Sequence, residues 1–209
     1  MEIIDITIGI KNGMLVWPGD EAAKIGWESK IADGAMSNVS SIQIGAHVGT
    51  HIDMPLHFIE GGKTMDDLDL SKMIGKAIVV EVPSGSQIDA DFLESLNLDD
   101  VNRILFKTSN SSFWDDSPTD FVEEYTGLEP SAAEWLVAHA CQLVGIDYLS
   151  IAPYDDSETT HKILLANDVI ILETLDLRKI EPGEAELICL PLKLECREAA
   201  PCRAVLIKG

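Results

Sequence analysis

The chain has 209 residues, of which 36 are acidic and 15 are Lys or Arg; the formal net charge is -21 and 46% of the residues are hydrophobic. This length fits a single domain over residues 1–209 with ample apolar material for a core, and the charge repels phosphate backbones, which argues against nucleic acid as a partner. No run approaches the roughly 20 apolar residues of a membrane span, and Met1-Glu2-Ile3-Ile4-Asp5 lacks the basic start and apolar core of an export signal, so a soluble, cytoplasmic protein without membrane contact is expected.

In chain order, Ile3 to Ile8 alternates like a strand and Trp17-Pro18-Gly19-Asp20 is a turn signal. Val39 to Ala46 reads as a strand leading into the histidine-rich stretch that follows it. Ala77 to Val82 is a buried-strand candidate, Ala90 to Leu96 a short helix and Arg103 to Lys107 another strand. Ser131 to Ala140 reads as a helix with Ser131 as N-cap and Glu134 three residues on, the capping-box pattern. His139 falls on a flank of that helix and does no chemistry. Leu143 to Asp147 is a strand, a loop runs through Pro153, and Ser157 to Ala166 is a helix with Ser157 or Thr159 near its start. Val169 to Glu173 is an apolar strand ending in a carboxylate. His161 then lies in the first helical turn and Glu173 at a strand end, places where buried polar sites are assembled. Taken alone, His161 reads equally as a capping residue and Glu173 as a surface carboxylate.

No Lys or Arg occurs between Lys107 and Lys162, an interval with 11 acidic residues; most of that charge serves solubility. Cys141, Cys189, Cys196 and Cys202 show no Cys-x-x-Cys spacing, and they are expected as reduced thiols with Cys141 and Cys189 in the core.

The chemistry concentrates in His47-Val48-Gly49-Thr50-His51-Ile52-Asp53-Met54-Pro55-Leu56-His57, which holds three of the five histidines. On a helix Asp53 would be rotated roughly 240° from His47, and Pro55 would break the element. On an extended strand His47, Gly49, His51, Asp53 and His57 share one face. Imidazoles and a carboxylate at that parity form a metal-ligand pattern with a proton carrier beside it, and Gly49 removes a Cβ where a metal or substrate approaches.

The same segment resembles the His-x-Gly-Thr-His-x-Asp-x-Pro-x-His signature of the cyclase family, which includes bacterial kynurenine formamidases and isatin hydrolases. Val16 to Asp20, Lys107 to Ser111, Gly145 to Ser150, Leu172-Glu173 and Glu186 to Lys193 resemble further family blocks in family order. The resemblance implies a mixed α/β chain in one domain of the swivelling β/β/α type, assembled as a homodimer or homotetramer. It implies one or two divalent ions, zinc or manganese first: His47, His51 and Asp53 on one, Asp53, His161 and Glu173 on a second, and His57 as the catalytic histidine. The chain departs from the family pattern at Ala152, where many relatives are acidic, and over Glu195 to Ala200, which replaces a more glycine-rich turn.

The chemistry so implied is hydrolysis. A divalent ion polarises a carbonyl oxygen and makes water more acidic, and an imidazole of ordinary pKa near 6.5 carries a proton at neutral pH. Nitrogen and oxygen ligands without thiolate suit zinc, manganese, iron or nickel. Trp17 offers a flat wall for an aromatic substrate, though a tryptophan is as often core. The expected reaction is cleavage of a small aromatic amide, with an aryl formamide such as N-formylkynurenine foremost. A cyclic amide or lactone of the isatin type is the nearest rival, and a metal-binding protein without turnover or an acidic interaction protein the more distant ones.

Overall fold

The structure, a computed structural model, describes residues 1–98, 101–115 and 120–209. In chain order its elements are β1 (Glu2–Asp5), β2 (Lys24–Ser29), β3 (Val39–Gln43), β4 (His51–Asp53), β5 (Ile74–Glu81), α1 (Ala90–Glu94), β6 (Arg103–Lys107), α2 (Pro130–Ala138), β7 (Leu143–Ile146), α3 (Ser157–Ala166), β8 (Ile170–Glu173), β9 (Gly183–Pro191) and β10 (Ala199–Lys208). The main sheet has the order β1-β10-β4-β8-β7-β6-β5-β9, and β9 also pairs with β10. That pairing closes seven strands into a barrel-like ring, with β1 laid against β10 as an eighth. This is the mixed α/β architecture of the β/β/α type that the resemblance implies.

Strands β5 to β8 run parallel, and their crossovers carry α1, α2 and α3. Both faces of these strands are therefore covered, which is why they read as nearly unbroken apolar runs. On β6, Leu105 faces the ring interior with Val79, Leu143, Leu172 and Leu187. Ile104 and Phe106 face outwards, against Leu93, Leu136 and Leu164 of the helices. Each such fully buried side chain contributes roughly 1.5–3 kcal/mol.

Several expectations shift. The strand expected over Val39 to Ala46 stops at Gln43 and pairs with β2 in a separate exposed ribbon, so a turn, and not a continuous strand, leads to β4. Strand β1 ends at Asp5, and Thr7 makes only a bridge to Leu175. Helix α2 begins at Pro130 with Glu129 at its N-cap; Ser131 Oγ instead accepts a hydrogen bond from the Ala90 amide at 3.3 Å. A proline in the first turn has no N–H to be capped. Helix α3 keeps the expected bounds, and its N-cap is Asp156, which accepts from the Thr159 amide. His139 stacks on Trp135 with ring centroids 3.7 Å apart and belongs to neither candidate ligand group. Cys141 and Cys189 are buried as expected. Among the described residues no helix is long and apolar enough to cross a membrane.

Candidate metal centre

Side-chain alternation places the site. In β4, Ile52 points into the ring with the following Met54, so His51 and Asp53 point out. In β8, Leu172 points in, so Ile171 and Glu173 point out. The two strands are antiparallel, with His51 opposite Glu173 and Asp53 opposite Ile171. Helix α3 covers this end and brings His161 Nε2 to 3.2 Å from Glu173 Oε1; His161 sits one turn into the helix, its Nδ1 against the Ser157 carbonyl, and not in the first turn as expected. These four side chains are 0–3% exposed.

His47 and His57 arrive by another route than one shared strand face. The strand spans His51–Asp53 alone; His47 stands in a turn before it, and His57 ends a 3₁₀ turn, Pro55–His57. Two changes of chain direction bring their rings to 4.2 Å from each other, with His57 6.0 Å from His161. Gly49 is needed for its backbone and not to admit a ligand: its φ is +71°, and a Cβ would meet Ile10 at 3.0 Å.

Hydrogen bonds set the ring orientations. His51 Nδ1 lies 2.8 Å from the Gly49 carbonyl and His161 Nδ1 2.6 Å from the Ser157 carbonyl. A carbonyl only accepts, so each Nδ1 carries the proton and Nε2 of the neutral ring is a lone pair. Both lone pairs face carboxylates: His51 Nε2 is 3.5 Å from Asp53 and 3.3 Å from Glu173, and His161 Nε2 is 3.9 Å from Asp53. His47 is turned the other way, with Nδ1 3.0 Å from Asp53 and Nε2 3.6 Å from Glu198. His51 Nε2 and both Asp53 oxygens are buried without a hydrogen-bond partner. Buried acceptors aimed at one another are costly unless something positive lies between them. A divalent cation fits that need and this nitrogen and oxygen donor set. Two groups, His47 with His51 and Asp53, and Asp53 with His161 and Glu173, each have ligand atoms within 4.8 Å of one another. Asp53 belongs to both.

The electrostatics follow from this crowding. Burial pushes the Asp53 carboxyl up, but His47, His51 and His57 around it hold it below its ordinary 3.8. Burial disfavours a charged His47, yet Asp53, Glu173 and Glu198 raise it to about 9. His161 is likewise raised against burial, by Glu173 and Asp53. Glu173 is lowered, since His161 and His51 outweigh burial and the Asp53 charge. His57 goes the other way: burial, with the neighbouring His47 and His161, takes it below 6.5 despite Asp53. Protons and a metal thus compete for the nitrogens of His47 and His161, while His57 is shifted toward its neutral form.

These groups open on a cleft of about 190 Å³ walled by Trp17, Phe58, Leu149 and Ser150, with Asp20 at its lip. Trp17 packs edge-on against Phe121 at 5.1 Å, and Phe58 stacks on His161 at 4.5 Å. All the residues anticipated from the sequence, His47, His51, Asp53, His57, His161, Glu173 and Trp17, meet here. Phe58, Asp20, Ser150 and Glu198 were not anticipated. Phe58 had a signal, its place directly after His57. Glu198 had none, because it reaches His47 only through the pairing of Ala199 with Asp53. Ala152 is fully buried and its carbonyl accepts from the Tyr125 hydroxyl at 2.7 Å. A larger groove of about 760 Å³ beside Glu94, Trp135 and Gln142 contains neither ligand group.

Comparison with known proteins agrees with this geometry. Residues 4–153 match the family described as "Putative cyclase". "Cyclase-like protein 3" of Oryza sativa subsp. japonica is 37% identical over 218 residues, 99% of this chain and 80% of that protein. "Kynurenine formamidase" of Salinibacter ruber is 35% identical over 209 residues, 99% of this chain and 97% of that protein. A solved structure described as a potential metal-dependent hydrolase with cyclase activity superposes with a TM-score of 0.84 at 31% identity, covering 98% of this chain and 96% of that one. Likeness in sequence and in fold, each over nearly the whole length, makes this chain a member of the cyclase family.

Proposed function

We propose that this chain is a metal-dependent amidohydrolase that cleaves the C–N bond of a small aryl formamide, with N-formylkynurenine the leading substrate. The observation that carries this reading is the pair of buried ligand groups joined at Asp53, with a neutral imidazole, His57, beside them at the cleft. The relative named kynurenine formamidase supports the choice of substrate. In this reading His47, His51 and Asp53 hold one divalent ion and Asp53, His161 and Glu173 a second, zinc or manganese. Such an ion polarises the amide oxygen and acidifies water when bound.

The protein's own groups do the rest. His57, neutral near pH 7, takes a proton from the attacking water as its oxygen bonds to the formyl carbon. It returns that proton to the aryl nitrogen as the C–N bond breaks, which leaves formate and a free amine. Trp17 and Phe58 line the cleft and give it aromatic walls suited to an aryl substrate.

The test is elemental analysis of the purified protein together with formate release from N-formylkynurenine. Divalent metal and formate equimolar with amine are expected. Ring opening of isatin without formate release would move the reading to a cyclic amide hydrolase. Bound metal with turnover of neither would leave a metal-binding protein without activity. The same reading carries a homodimer or homotetramer, which light scattering measures.

A further inference from the structure

We infer that Glu198 is a positioning residue for the metal centre: it holds the His47 ring so that Nδ1, and not Nε2, faces the ion. The inference rests on the metal reading above. An imidazole ligand is oriented by what its other nitrogen meets, and such outer partners are worth about 10- to 100-fold in metal affinity. For His51 and His161 the outer nitrogen is Nδ1, and backbone carbonyls at 2.8 and 2.6 Å meet it. His47 stands in a turn, is partly exposed, and presents its Nδ1 to Asp53. Its outer nitrogen is Nε2, and what faces that nitrogen is a carboxylate, Glu198 Oε1 at 3.6 Å.

The fold delivers Glu198 for this purpose. Its carbonyl accepts from the Met54 amide at 2.7 Å, and the next residue, Ala199, pairs with Asp53. The strand contact that clamps Asp53 therefore also fixes Glu198 beside His47. Glu198 Oε1, 3.6 Å away, is the acceptor oxygen on the Nε2 side of the His47 ring, the place that the backbone carbonyls take beside Nδ1 of His51 and His161. The group of His47, His51 and Asp53 depends on Glu198, and the group of Asp53, His161 and Glu173 does not.

The experiment titrates chelator-stripped protein with Zn²⁺ against a chromophoric competitor, for wild type, Glu198→Ala, Glu198→Gln and Glu195→Gln. Glu195 is exposed in the same loop and controls for loss of one charge. Glu198→Ala should weaken one binding step about 10- to 100-fold. Glu198→Gln keeps an acceptor oxygen and should stay within a few-fold of wild type, and Glu195→Gln should match wild type. Equal affinity in wild type and Glu198→Ala overturns the inference. So does a loss in Glu198→Gln or Glu195→Gln as large as in Glu198→Ala, which would leave charge alone as the cause. A wild type that binds no Zn²⁺ overturns the metal reading itself. The thermal transition of each stripped variant checks folding, and ¹⁵N spectra of zinc-loaded wild type decide independently of any variant. His47 should be metal-bound through Nδ1 and protonated at Nε2, the reverse of His51 and His161; His47 bound through Nε2 would overturn the inference.

Discussion

Asp53 has both oxygens buried, no hydrogen-bond partner of its own and a place in both ligand groups. Asp53→Asn should therefore lose most of the bound metal, whereas His161→Ala or Glu173→Ala should keep about half, since each thins one group only. Elemental analysis with circular dichroism decides this, and full occupancy in Asp53→Asn would show that no ion is shared there. His57→Ala is expected to keep metal and fold but lose on the order of 10² to 10⁴ in kcat, the usual contribution of a general acid-base group. Its pKa is lowered from 6.5, mainly by burial. The neutral base is then present above that lowered value and lost as pH falls through it, so the acid limb of kcat/KM should lie below pH 6.5 and vanish in His57→Ala. A limb at or above 6.5 with metal intact would count against the assignment. The identities of these residues were legible because few side chains bind metal and they cluster in one segment. The reason given by strand alternation was legible only for His51 and Asp53; the turns that bring in His47 and His57 depend on contacts with Ile10 and Gly62, distant or unmarked in the local pattern.

The 3₁₀ turn Pro55–His57 shows how an element too short to hold itself is held by its neighbours. The Leu56 amide donates to the Lys63 carbonyl at 2.9 Å. A Cβ on Gly62 would meet the Pro55 carbonyl carbon at 2.7 Å and the Leu56 nitrogen at 2.8 Å. Backbone atoms cannot swing aside as a side-chain tip can, so Gly62→Ala should cost about 1–3 kcal/mol and displace His57. Lower thermal stability and lower kcat at unchanged metal content are expected; a fully active variant would show that the turn tolerates the shift. Elements with buried faces were the ones legible beforehand. Strand β6 and helix α3 have their expected bounds because β6 is an unbroken apolar run and α3 is framed by turn residues. Strand β3 was expected, as part of Val39 to Ala46, but its partner β2 and the hairpin of β9 and β10 were not. Every β3 residue is exposed, so no apolar face told that it leaves the main sheet, and Pro201 argues against a strand although its carbonyl accepts from the Leu192 amide inside the hairpin.

At the scale of the molecule, 36 acidic residues against 15 basic ones make the folded state repel itself. Salt shortens the reach of that repulsion from roughly 30 Å at 0.01 M to roughly 3 Å at 1 M. Raising sodium chloride over that range should lift the thermal midpoint of the metal-stripped protein by about 2–4 °C for each kcal/mol relieved; a midpoint that falls with salt would mean that ion pairs outweigh the repulsion. Closure of the ring also sets an order of events. Strand β10 is the last strand in sequence and lies against β1, β4 and β9, so three earlier strands wait for it while the ribosome is still at work. Strand β4 is three residues long, and until Ala199 to Pro201 arrive it has β8 alone to hold it. A nascent chain therefore carries every histidine and carboxylate of the two ligand groups before it carries the strand that fixes their spacing, and metal capture belongs after β10 has docked.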